Sequence, residues 1–123
     1  MEVARAYEEK QEWQVEDVSD KDHGGFDLRS LRFDEDGAQD GIRYIEVKAR
    51  ARSGKIRLTS NEWKKARKFN DQYWIYIVTE AASDSPQLNC IQNPAQQFEE
   101  GKDIRATSFE IPEEAWRQTE NAE

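Results

Sequence analysis

Cysteine and histidine are almost missing from this chain, with one of each in 123 residues. A lone Cys90 cannot close an internal disulfide, which suits a reducing compartment. One Cys and one His, His23, argue against a zinc site. No run of about 18 apolar residues occurs, so no segment reads as a membrane span. The opening MEVARAYEEK lacks the apolar stretch of a signal peptide, and the expected location is the cytoplasm. Internal repeats and low-complexity blocks are absent as well.

What is present begins with large side chains. Four Trp, four Tyr and five Phe supply the interior of one modest domain. The net charge of −8 argues against nucleic acid as a partner, but its distribution argues the other way. Residues 48–68, KARARSGKIRLTSNEWKKARK, hold nine Lys/Arg and one acid, a formal +8, which leaves −16 for the rest of the chain. A basic block in an acidic chain is a local electrostatic feature that the total hides. The plain alternative is a solvated, soluble surface.

Patterning predicts an alternation of helices and strands. Residues 2–12 read as a helix with Val3, Ala6, Tyr7 and Lys10 on one side. No cap precedes it, which raises the expectation that the domain was cut from a larger protein. Residues 13–19 read as a short strand, 20–25 as a turn holding His23, and 25–33 as a strand. In that strand Phe26, Leu28 and Ser30 share one face, and Asp27, Arg29 and Leu31 the other. DEDGAQDG (34–41) reads as a hairpin loop and 42–50 as the next strand. There Ile45, Val47 and Ala49 share one face and Tyr44, Glu46, Lys48 and Arg50 the other.

A strand over 55–59 follows, then a helix capped by Ser60 and running to about Phe69. QYWIYIVTE (72–80) is the most apolar segment and predicts a central strand buried on both faces. A strand over 88–94, a short helix in 95–100, an edge strand in 104–111 and a helix over 112–118 opened by Pro112 complete the pattern. Residues 119–123 are expected to fray. The whole predicts an α/β or α+β sandwich built on one sheet, with residues 1–118 as a single domain.

Within this pattern the carboxylates acquire positions. If the strands carrying Asp27 and Glu46 pair, the two acids can stand side by side, with Lys48 two residues beyond Glu46. Glu8 lies on a helix that would pack near the same sheet. Crowded carboxylates repel and push a pKa upward. A Mg²⁺ or Mn²⁺ ion resolves the conflict, since hard dications take carboxylate and carbonyl oxygens. Such an ion can polarise a phosphodiester and acidify water, with the Lys48 ammonium to orient that water.

The ordered set Y-E (7–8), V-S (18–19), G-G-F-D-L-R-S (24–30), I-E-V-K-A-R (45–50), L-T-S-N-E-W (58–63) and Y-W-I-Y-I-V (73–78) resembles the PD-(D/E)xK nuclease superfamily. More narrowly, it resembles the NO VEIN carboxy-terminal domain group, found appended to helicase-like and other large proteins, including some in bacterial defence loci. Phe26 stands where the superfamily's name has proline. The resemblance implies a restriction-endonuclease-like α/β fold with a central mixed sheet flanked by helices. It implies Asp27 and Glu46 as metal ligands, joined by the Val47 carbonyl and by Glu8 from the first helix, with Lys48 as the motif lysine. The expected activity is metal-dependent hydrolysis of DNA, as a module of a larger helicase- or ATPase-containing or defence protein.

The basic block would form a phosphate-binding rim: Arg50, Arg52, Lys55, Arg57, Lys64, Lys65 and Lys68. Each residue also has a plain reading. Glu46 and Lys48 can be a solvent-facing ion pair, Asp27 a turn residue, and Glu8 a helix-surface acid. Asn61 and Glu62 can simply open their helix. Trp63, Trp74 and Cys90 read as core. The rival functions are a catalytically silent module of the same fold that docks DNA or a helicase partner, and a protein-interaction domain using the acidic carboxy-terminal part.

Overall fold

Residues 73–79, YWIYIVT, form the strand around which everything else is arranged. The computed structural model describes residues 1–19, 26–50, 54–98, 110–118 and 121–122. In chain order the elements are α1 (Glu2–Lys10), β1 (Gln14–Asp17), β2 (Leu28–Phe33), β3 (Gln39–Arg50), β4 (Ile56–Arg57) and α2 (Ser60–Phe69). After a 3₁₀ turn at Asn70–Gln72 come β5 (Tyr73–Thr79), β6 (Gln87–Gln92), α3 (Pro94–Gln97), β7 (Glu110–Ile111), α4 (Glu113–Trp116) and β8 (Asn121–Ala122).

The fold is α/β, with helices flanking a mixed sheet. Five strands run in the order β1-β2-β3-β5-β6, and the two-residue β8 pairs outside β6. β1, β2 and β3 form an antiparallel meander; β3 and β5 are parallel, and the connection between them carries α2. A parallel pair needs such a crossover, because a tight turn can only reverse the chain.

β5 divides two cores. Tyr73, Ile75 and Ile77 face one side, where they meet Ile56, Leu58, Trp63, Ala66, Ile91, Phe98, Ile111 and Trp116. Tyr76 and Val78 face the other, against Ala4, Leu28, Ile45 and Leu88. The first core lies under α2 and the second under α1. Burying an isoleucine contributes about 1.5–3 kcal/mol, so a strand with four fully or nearly fully buried apolar side chains in a row, Ile75 to Val78, anchors both layers.

Local chemistry sets the turns. Asp34 accepts from the backbone N–H of Asp36 and Ala38, both at 2.9 Å, and Gly37 takes φ +83° to close the β2–β3 hairpin. Gly41 on β3 lies under the Trp13 indole; a Cβ there would stand 3.0 Å from the ring.

Several expectations need correction. The first helix stops at Lys10, and it presents Val3, Ala4, Tyr7 and Glu8 to the sheet; Ala6 and Lys10 are exposed. Glu12 at φ +68° turns the chain into β1. β2 begins at Leu28, not at residue 25. Phe26 therefore does not share a face with Leu28: its ring packs 4.8 Å from Tyr44 and 6.2 Å from Phe69, on the α2 side.

The third strand starts earlier than expected, at Gln39. β4 is two residues long and leaves the main sheet to pair with β7. The segment expected as an edge strand thus contributes Glu110–Ile111 to a separate ladder; residues 104–109 lie outside the described part, as do His23 and Arg52. The last part of the tail does not fray throughout, because Asn121 and Ala122 pair with Asn89 and Leu88. The cap of α2 is Thr59, one residue before the expected Ser60.

Candidate active site

The end of β2 sets the geometry. β2 pairs with β3 up to Leu28 opposite Ile45, and Asp27 still donates its N–H to the Ile45 carbonyl at 2.8 Å. Beyond that the strands part, and the Asp27 carboxylate takes over from the backbone. Its Oδ2 accepts from the Val47 N–H at 2.9 Å. Asp27 is held beside β3 at the level of Val47, next to Glu46 and Lys48.

Glu46 and Lys48 point to the α2 side of the sheet, opposite Ile45 and Val47, as the alternation predicts. Glu46 is only 6 % exposed. Lys48 Nζ lies 3.3 Å from Glu46 Oε2 and 3.0 Å from Glu62 Oε1. Glu62 arrives from the first turn of α2 through a capping box. Thr59 Oγ1 accepts from the Glu62 N–H at 3.1 Å, and Glu62 Oε1 accepts from the Thr59 N–H at 2.8 Å. Tyr73 closes the base of the group from β5, fully buried.

Glu46 and Glu62 thus share one ammonium, and Asp27 stands close enough to Glu46 to act on its carboxyl. Burial pushes the Glu46 carboxyl up to about 8; Glu62 and Asp27 push the same way, and Lys48 opposes them. For Glu62 burial also acts upward, but the Thr59 N–H and the Lys48 ammonium outweigh it and hold the carboxyl below its usual range. Glu46 is therefore the member that keeps a proton. The Tyr73 phenol is pushed up by burial and then by the three carboxylates.

The donors are hard oxygens of the kind Mg²⁺ or Mn²⁺ takes. Among the described residues, however, no group of three or more His, Cys, Asp or Glu side chains is arranged to hold a metal ion. Lys48 supplies the positive charge among the carboxylates.

Glu8 does not join this group. Its carboxylate lies on the α1 side of the sheet, where it accepts from Arg43 Nη1 at 2.8 Å and from the Tyr76 hydroxyl. Arg43 is itself stacked between two indoles, with its guanidinium carbon 4.2 Å from the Trp13 ring centre and 4.4 Å from that of Trp74. Glu8 and Glu46 have the sheet between them and cannot share a cation. The helical glutamate that does stand beside Glu46 and Lys48 is Glu62. The signal for it was the T-x-x-E capping spacing in L-T-S-N-E-W.

The basic residues divide into groups. Arg50 reaches the carbonyls of Lys55 and Ala49, at 3.2 and 3.0 Å. Lys55 and Arg57 have exposed side chains on the stretch that leads to α2. Lys64 and Lys68 are exposed on α2 and Lys65 is half-buried. At about 1.5 Å per residue, Lys65 and Lys68 lie about 4.5 and about 9 Å along the helix axis from Glu62. Cys90 is half-buried, and burial raises its thiol to about 12, which disfavours the thiolate.

A family model described as "Protein NO VEIN, C-terminal" matches residues 1–91. The chain belongs to the NO VEIN C-terminal family. The matched stretch takes in α1 through most of β6, and with it all of Asp27, Glu46, Lys48, Glu62 and Tyr73. No curated protein and no solved structure matches the chain. No helix among the described residues is long and apolar enough to cross a membrane.

Proposed function

We propose that this NO VEIN C-terminal domain has the restriction-endonuclease-like fold and hydrolyses phosphodiester bonds in DNA with Mg²⁺ or Mn²⁺. It would serve as a cytoplasmic module of a larger helicase, ATPase or defence protein. The observation that carries the reading is the convergence of Asp27, Glu46 and Lys48 in a pocket where carboxylates outnumber cations. That imbalance is relieved when Glu46 keeps its proton or when another positive charge enters.

Asp27 and Glu46, with the Val47 carbonyl, are the groups that would hold the dication; its charge would polarise the phosphodiester and acidify water. Lys48 orients the attacking water and offsets phosphate charge. The water oxygen joins phosphorus, the bond to the leaving oxygen breaks, and that oxygen departs with a proton. Lys64, Lys65 and Lys68 on α2, with Lys55 and Arg57, bind the backbone without reading bases.

Nicking of supercoiled plasmid in Mg²⁺ or Mn²⁺ is the direct test. Lys48→Ala is expected to lower the rate by about 100-fold or more. Equal rates in the two proteins remove Lys48 from the mechanism, and no cleavage by the wild type in either metal removes the activity.

One observation favours a second reading, a silent DNA-binding module of the same fold. The described residues hold no ready three-ligand group, and Lys48 is already paired. Mn²⁺ titration separates the two, since an ion bound only by the folded state must raise Tm. A flat response with salt-sensitive DNA binding supports the silent module.

A further inference from the structure

We infer that Glu62 is a positioning residue: it fixes the Lys48 ammonium in the pocket through the capping box of α2. This inference rests on the proposed hydrolytic site but goes beyond it, because Glu62 lies outside the Asp27, Glu46 and Lys48 set. Lys48 has two carboxylate neighbours, and Glu62 is the one tied to a backbone N–H. Its hydrogen bond goes to Glu62 Oε1 at 3.0 Å, whereas Glu46 Oε2 stands further off at 3.3 Å. The same Glu62 oxygen accepts from the Thr59 N–H at 2.8 Å, so the first turn of a ten-residue helix holds it in place. An acceptor fixed by backbone bonds restricts where the ammonium can go.

The arrangement has a consequence for Glu46. When Glu46 turns to another cation, Lys48 keeps a partner and stays where it is. The capping box therefore does two things with one carboxylate: it starts α2, and it ties the motif lysine on β3 to that helix. Lys65 and Lys68 lie on the same helix, so the lysine in the pocket and part of the cationic rim share one rigid mount.

Glu62→Gln separates the two tasks. Glutamine at this position still closes a capping box, but it removes the charge that Lys48 faces. Thr59→Ala does the reverse: it removes the hydroxyl that caps the Glu62 N–H but keeps the carboxylate and the residue-59 N–H that anchors it. The readout is the Lys48 side-chain ammonium signal in ¹H–¹⁵N spectra, assigned by its loss in Lys48→Arg. In the wild type this signal should resist exchange under conditions where exposed lysines vanish. Glu62→Gln should lose it, and Thr59→Ala should keep it.

A signal that survives in Glu62→Gln, that disappears equally in Thr59→Ala, or that is missing from the wild type overturns the inference. In the nicking assay Glu62→Gln should lower kcat by about 100-fold through misplacement of Lys48, while KM for DNA changes less than about twofold. Should the wild type not cleave at all, the hydrolase reading fails by itself, and the ammonium signal still decides the role of Glu62.

Discussion

The two faces of the sheet each bury a charged group, and the two groups are built on opposite terms. On the α1 side one carboxylate, Glu8, meets one guanidinium, Arg43, and the Tyr76 hydroxyl, between Trp13 and Trp74. Its formal charges cancel. On the α2 side two carboxylates, Glu46 and Glu62, face one ammonium, with a third, Asp27, beside Glu46. A balanced pair under aromatic cover fastens α1 to the sheet. An unbalanced cluster works against folding, and the proposed hydrolytic site rests on it.

The largest expected effect breaks the balanced side. Arg43→Ala leaves Glu8, which has no exposed surface, as an uncompensated buried charge. Urea unfolding should show a loss of about 3–5 kcal/mol. A loss under about 1 kcal/mol would mean that this pair holds nothing together.

The next effect probes the unbalanced side and has the opposite sign. Glu46 titrates near 8 in the folded chain, above its ordinary 4.5. Between those values the folded state holds a proton that the unfolded state has released. The stability tied to that proton is complete below about pH 4.5 and is lost as pH rises through 8. Glu46→Gln keeps a neutral side chain at every pH. Its Tm should exceed that of the wild type by a margin that widens from pH 5 to pH 9. A constant difference across that range would mean that Glu46 is ionised throughout.

The smallest effect concerns the outer face of α2. Replacing Lys64, Lys65 and Lys68 together by Gln should change stability by no more than about 0.5 kcal/mol per site. DNA affinity should fall, and the slope of its logarithm against log salt should shrink by about 0.9 for each phosphate contact removed. An unchanged slope would place the DNA-binding surface elsewhere.

Much of the fold was legible because the signals are local. The apolar run of β5 and the alternation of β3 require only near neighbours, and they place Glu46 and Lys48 on the right side of the sheet. Thr59 and Ser60 are both good caps, and only Glu62 three residues after Thr59 distinguishes them. β4 and β7 have two residues each, too few to show a period, so their separate ladder left no trace in the pattern.

Glu8 was harder to read. Its partners Arg43 and Tyr76 lie 35 and 68 residues away. A glutamate in a polar helix gives no sign that it will face inward. The candidate site shows the same division. Glu46 and Lys48 follow from the alternation of β3, and Asp27 lies one residue before β2, while the part of Glu62 depends on where a helix start lands over the sheet.

The placement of the four indoles has a practical consequence. Trp13 and Trp74 flank the Arg43 guanidinium under α1, whereas Trp63 and Trp116 lie in the core beneath α2. Each layer thus carries its own pair of fluorophores. With either pair replaced by phenylalanine, the emission of the other would report on one side of the molecule alone, so loosening of the first helix could be followed optically without any signal from the pocket side.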